Sequence, residues 1–110
     1  MHELSITESV IAAVSEHVGS TPVRSLTLEI GRLSGVVPDS VRFCFELCAH
    51  GTPCEGARLD IVDTPGRARC RDCGDEIELP DEIALCPCGS ANLEITGGRQ
   101  LKIKQLEIGD

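Results

Sequence analysis

Two close cysteine pairs, Cys70-Arg71-Asp72-Cys73-Gly74 and Cys86-Pro87-Cys88-Gly89, constrain this 110-residue chain more than any other feature. Four thiolates spaced in this way can close a tetrahedron around one Zn²⁺. A glycine after each pair permits the tight turn that such a knuckle needs. The surrounding segment is rich in turn formers and poor in apolar residues, so it is expected to lack a core of its own. Metal binding would then supply its folding free energy, on the order of 10 kcal/mol. Seven cysteines cannot all pair as internal disulfides, which points to a reduced, intracellular chain. A redox Cys-x-x-Cys fits less well, because no helix start or βαβ pattern stands beside either pair to lower a thiol pKa.

Hydrophobic spacing organises the rest. Leu4, Val10, Ile11, Val14 and Val18 recur at helical spacing, with Gly19 and Pro22 to stop the helix and Ser5 with Glu8 as a capping box. Leu26, Leu28 and Ile30 alternate with polar residues as in a half-buried strand. Gly31 to Pro38 connects this strand to a second helix, predicted from about Asp39 to His50. Its stripe is Val41, Cys44, Phe45 and Cys48, and Gly51 is its stop. Leu59 and Ile61 mark another strand. After the cysteine segment, Leu101 to Ile108 forms a last strand whose pattern changes phase between Ile103 and Leu106, as a bulge would cause. The order predicts an α+β fold, two helices packed on a three-stranded mainly antiparallel sheet, with an inserted zinc-ribbon-like module. The expected domains are residues 1–65 plus 99–110, and residues 66–98.

Charge narrows the partners. Ten Lys and Arg against eighteen Asp and Glu leave a net charge of −8, which repels phosphate backbones and anionic lipid. Neither nucleic acid nor membrane is expected as a partner, and the start has no basic region followed by an apolar run. The cytoplasm is the expected compartment. Cys44 and Cys48 read as small core residues on the apolar stripe, and Cys54 as a loop thiol without a partner. His17 and His50 suit helix C-terminal positions. Asp75-Glu76 and Asp81-Glu82 read as solvated charge. No catalytic group emerges, so the chain is not expected to be an enzyme. A zinc-ribbon accessory module for protein or nucleic acid is one reading of these features.

The start, Met1-His2-Glu3, carries different chemistry. A free α-amine, the deprotonated amide of His2 and its imidazole can form fused chelate rings around one planar ion, and planar nitrogen fields suit Ni(II) or Cu(II). Bulky His2 should keep aminopeptidase from removing Met1.

Motifs along nearly the whole chain resemble the HypA/HybF family of nickel metallochaperones. They are Met1-His2-Glu3-Leu4-Ser5, Glu29-Ile30-Gly31, Leu33-Ser34-Gly35-Val36, Pro38-Asp39-Ser40, Gly51-Thr52-Pro53, Glu55-Gly56-Ala57, both cysteine pairs, Gly89-Ser90 and Leu101 to Ile108. The resemblance implies Ni(II) as cargo on His2, supported by Met1 and Glu3, and structural Zn(II) on Cys70, Cys73, Cys86 and Cys88. It implies a hydrogenase maturation GTPase and the precursor of the hydrogenase large subunit as partners, and a monomer or weak homodimer. The family usually has two residues between the second pair of cysteines, where this chain has only Pro87. Cys88 is therefore expected to be the loosest ligand. Family members that place histidines beside these cysteines also differ, since this chain has no histidine after His50.

Overall fold

The computed structural model describes residues 2–80 and 84–109. In chain order the elements are α1 (Glu3–Val18), β1 (Val23–Gly31), α2 (Pro38–Cys48), β2 (Arg58–Thr64), β3 (Gly66–Cys70), β4 (Glu76–Leu79), β5 (Leu93–Gly97) and β6 (Leu101–Ile108). They build two three-stranded sheets, of strand order β2-β1-β6 and β4-β3-β5.

Both helices pack on the first sheet. β1 is its central strand, and Leu26, Leu28 and Ile30 on one of its faces are at most 1% exposed. They meet Ile11 and Val14 of α1 and Val41 and Phe45 of α2 in one hydrophobic core. Three of the four strand pairings are antiparallel, and β1 with β2 is the parallel one. That pairing follows from α2, because parallel neighbours need a crossover long enough to return the chain to the same end. β6 comes back antiparallel to β1, with Thr27 opposite Gln105 and Leu28 opposite Ile103. Lys104 is thus the extra residue of the bulge, within the predicted interval.

The helix ends differ from their sequence signals. α1 begins at Glu3 with His2 as its N-cap and no side-chain cap, so the Ser5–Glu8 box does not form. The first turn is tied instead by Glu3 and Thr7, as described below. α2 opens with Pro38 in its first turn, where a missing N–H costs nothing. It ends at Cys48, short of His50, whose Nδ1 pairs with Glu55 at 2.8 Å. Cys54, expected as a bare loop thiol, is wholly buried in the main core. Asp81 and Glu82 lie outside the described residues.

The cysteine segment is more ordered than its composition suggested. Ala68 of β3 and Leu79 of β4 make a small core with Ile77, Ala84, Leu93 and Ile95. Leu33, from the loop after β1, completes it. The expectation of no core fails here because Leu33, a residue outside the segment, packs into it.

Three glycines make the junction between the sheets possible. A Cβ on Gly31 would lie 2.0 Å from the Gly98 carbonyl oxygen, and one on Gly66 would lie 2.7 Å from Leu33 Cδ1. The close approach lets Leu33 N–H donate to the Gly98 carbonyl at 2.7 Å and Gly31 N–H to that of Gln100 at 2.7 Å. Leu33→Ala should remove a keystone of the smaller core, at a cost of about 2–5 kcal/mol. Hydrogen exchange should show β3, β4 and β5 losing protection before β1. Uniform loss across both sheets would contradict a local role for Leu33. Among the described residues, no helix is long and apolar enough to cross a membrane.

Candidate metal centres

Two turns bring the thiols together. Cys70 ends β3, and the Gly74 N–H donates to its carbonyl at 2.8 Å while Cys73 N–H points at its Sγ at 3.5 Å. In the second turn, Gly89 N–H donates to the Cys86 carbonyl at 2.8 Å. Both glycines sit at positive φ, 82° and 95°, which these tight reversals require. The two turns are stapled by the Ser90 hydroxyl, which donates to the Asp72 carboxylate. No periodicity in the sequence marks that staple.

All four sulfurs lie within 4.8 Å of one another. Cys70 Sγ is 3.7 Å from Cys88 Sγ, and Cys73 Sγ is 3.6 Å from Cys86 Sγ. Zn–S bonds of about 2.3 Å in a tetrahedron place sulfurs about 3.8 Å apart, so the cluster has the dimensions that zinc needs. The one-residue spacer does not carry the Cys88 sulfur away from the others. Cys70 and Cys86 are buried, whereas Cys73 and Cys88 face solvent.

The electrostatics of the cluster are those of ligands crowded together. The Cys73 N–H, outweighing burial, pulls the Cys70 thiol down to about 6. Cys73 is pushed up to about 12: the Asp75 N–H favours its thiolate, but the Cys86 thiol and burial outweigh it. Cys88 is also raised, since the Cys86 thiol and burial overcome the Ser90 N–H. Four thiolates cannot coexist at these distances without a cation among them, and a divalent metal resolves the conflict by replacing the protons.

The N-terminal residues are arranged differently. His2 is exposed, and its carbonyl accepts the Ile6 N–H at 2.9 Å as the first bond of α1. Glu3 is largely buried and does two jobs. Its carboxylate accepts the Val37 N–H at 3.1 Å, just ahead of α2, and its carbonyl accepts the Thr7 hydroxyl at 2.7 Å. The Val37 N–H holds the Glu3 carboxyl below its usual range, with the positive charge nearby adding to the effect. Met1 lies outside the described residues. The sequence flagged Glu3 only through its motif, since a contact with residue 37 leaves no local signal.

Cys44 and Cys48 are half-buried, and Cys48 packs against the main core. Burial, helped by Glu8 and Cys44, raises the Cys48 thiol. The double change Cys44→Ala with Cys48→Ala should cost about 1–2 kcal/mol, less than a full core truncation, and leave metal content unchanged. Loss of a metal equivalent from that variant would give these thiols a ligand role.

The three arginines of the smaller sheet are engaged locally. Arg67 faces Glu76 at 4.0 Å, Arg69 faces Glu94 at 3.4 Å, and Arg71 donates to Asn92 at 3.3 Å. Two of the three thus face carboxylates, which leaves little basic surface there for phosphate.

Four thiols converging on a small antiparallel sheet, beside a helical layer that opens on an exposed histidine, define a metal-binding protein of the zinc-ribbon-like kind. The family profile described as "Hydrogenase/urease nickel incorporation, metallochaperone, hypA" matches residues 1–108, and the chain belongs to this HypA family. Hydrogenase maturation factor HypA of Rippkaea orientalis is 52% identical over 109 residues, covering 98% of this chain and 96% of the relative. That of Nostoc punctiforme is 48% identical over 108 residues, with the same coverage. A solution structure of the Ni metallochaperone HypA from Helicobacter pylori matches with a TM-score of 0.70 at 29% identity, over 99% of this chain and 98% of that one. The family is one of maturation factors and metallochaperones.

Proposed function

We propose that this chain carries Ni(II) on its N-terminal residues and delivers it to the precursor of the [NiFe]-hydrogenase large subunit, working with the maturation GTPase in the cytoplasm. It acts by binding and transfer, not by catalysis. His2 supplies the imidazole and an amide nitrogen, and Met1 supplies the amine, provided that Met1 is the free terminus. These three donors leave one planar position open, as suits a site that must release its cargo.

The observation that carries this reading is the place of His2 at the start of α1. The first amides of a helix have no intrahelical acceptor, so an amide can bind metal there without breaking the helix. The same helix end disfavours a bare cation, and the Glu3 carboxylate offsets that penalty. Glu3 therefore supports the site through its charge and by fixing the first turn against Val37.

Cys70, Cys73, Cys86 and Cys88 hold Zn(II), which fixes the shape of residues 66–98 as a module inserted into a domain of residues 1–65 plus 99–110. The paired arginines weigh against the alternative of a nucleic-acid accessory module. Transfer tests the whole reading. Protein loaded with one nickel should yield it to the precursor with the GTPase present, and His2→Ala protein should not. Equal nickel incorporation by the two proteins would remove His2 from the pathway.

A further inference from the structure

Among the described residues β6 is an edge strand, bonded to β1 on one side only. Beside it runs a groove of about 390 Å³, lined by Ile6, Val10 and Ala13 of α1 and by Leu101 and Ile103 of β6. Ile103 is 39% exposed and Ile108 50% exposed, unusual for aliphatic residues on a strand whose neighbours pack into the core. A bulged edge that carries Lys102 and Lys104 repels most strands. One partner escapes that repulsion.

We propose that β6 pairs antiparallel with β6 of a second copy of this chain, about a two-fold axis between Lys104 and Gln105. The sequence Leu101-Lys102-Ile103-Lys104-Gln105-Leu106-Glu107-Ile108 complements itself in that register. Leu101 falls opposite Ile108, Lys102 opposite Glu107, Ile103 opposite Leu106 and Lys104 opposite Gln105. Opposed residues in an antiparallel pair share a face, so each pairing must respect the faces that β1 already fixes. It does. Ile103 and Leu106 lie across from Leu28 and Leu26 on the helix side, while Lys102 and Glu107 lie across from Glu29 and Ser25 on the other. Each dimer gains two lysine–glutamate pairs, and its exposed isoleucines and the mouth of the groove become covered. The result is a continuous six-stranded sheet, β2-β1-β6-β6-β1-β2. No metal ligand takes part, so this pairing stands or falls apart from the nickel reading.

Sedimentation of zinc-loaded protein up to about 0.5 mM tests it, a range that reaches interfaces smaller than the ~1,000 Å² of stable complexes. The native chain should show a monomer–dimer equilibrium. Ile103→Arg and Lys102→Glu should each weaken it by at least about tenfold, a change of the size expected for a central contact. Lys102→Glu combined with Glu107→Lys should recover it. Glu107 also accepts the Ser25 hydroxyl at 2.6 Å, so the melting temperature of the double variant is compared with that of the native chain. Ile103→Arg leaves that bond in place. A native chain that stays monomeric throughout overturns the proposal. So does a dimer indifferent to both single changes, or a folded double variant that fails to recover.

Discussion

Cys70→Ser or Cys73→Ser is expected to release the zinc, about one ion per chain, and to unravel β3, β4 and β5 while β2, β1 and β6 stay folded. The asymmetry follows from what holds each sheet. The first has a hydrophobic core drawn from both helices and all three of its strands. Among the described residues the second has three buried ones, of which Leu33 comes from the loop after β1. Such a core cannot offset the conformational entropy of some thirty residues, at about 1–2 kcal/mol each for the backbone. Thiolate coordination adds on the order of 10 kcal/mol to the hydrogen bonds and packing of β3, β4 and β5, and tips the balance to the folded side. Losing one ligand also leaves the remaining sulfurs in mutual conflict. Cys88→Ser should be the mildest of the four changes, because Cys88 faces solvent beyond a single proline. Metal analysis with hydrogen exchange on each variant would decide this. Equal zinc loss from all four variants would deny that Cys88 is the loosest ligand, and a second sheet that persists without zinc would shift the weight to Leu33.

The parts of this structure readable in advance are those with a short-range cause. Alternation at Leu26, Leu28 and Ile30 gave the central strand, and the phase change after Ile103 gave the bulge at Lys104. The cysteine spacing anticipated a cluster whose sulfurs now stand at zinc-like separations. The unreadable parts are contacts across long stretches of chain. Leu33 looked like part of a connection, yet it fills the core of a sheet that begins at residue 66. The capping box failed for a similar reason: Glu3 reaches Val37 and starts the helix two residues before Ser5. Cys54 offered no pattern at all, because a loop residue buried under an α/β layer has no period to betray it. The two helices and the strands of the first sheet therefore announced themselves, whereas β3, β4, β5 and the joint between the two sheets did not.

His2→Ala is expected to abolish stoichiometric nickel binding while leaving zinc and fold intact. The side chain of His2 is exposed and no part of either core, so its loss has no packing cost. Its imidazole closes a chelate ring, and losing a ring should reduce affinity by more than the ~10–100-fold that changes behind the ligands cost. A few residues added before Met1 should do comparable harm by a separate route. They turn the amine into an amide, which no longer offers the same donor. The bound ion should be diamagnetic and square planar, as strong nitrogen donors impose on Ni(II). Amine, amide and imidazole must all give up protons to the metal, so binding should weaken steeply as pH falls. The Cys70 cluster provides an internal control, since zinc content should follow neither change at the terminus. Titration of the native, His2→Ala and extended proteins, read by absorption in the d–d region, separates the outcomes. An extended protein that binds nickel as tightly and in the same geometry would show that the terminal amine is not a ligand, and would turn attention to His17 and His50.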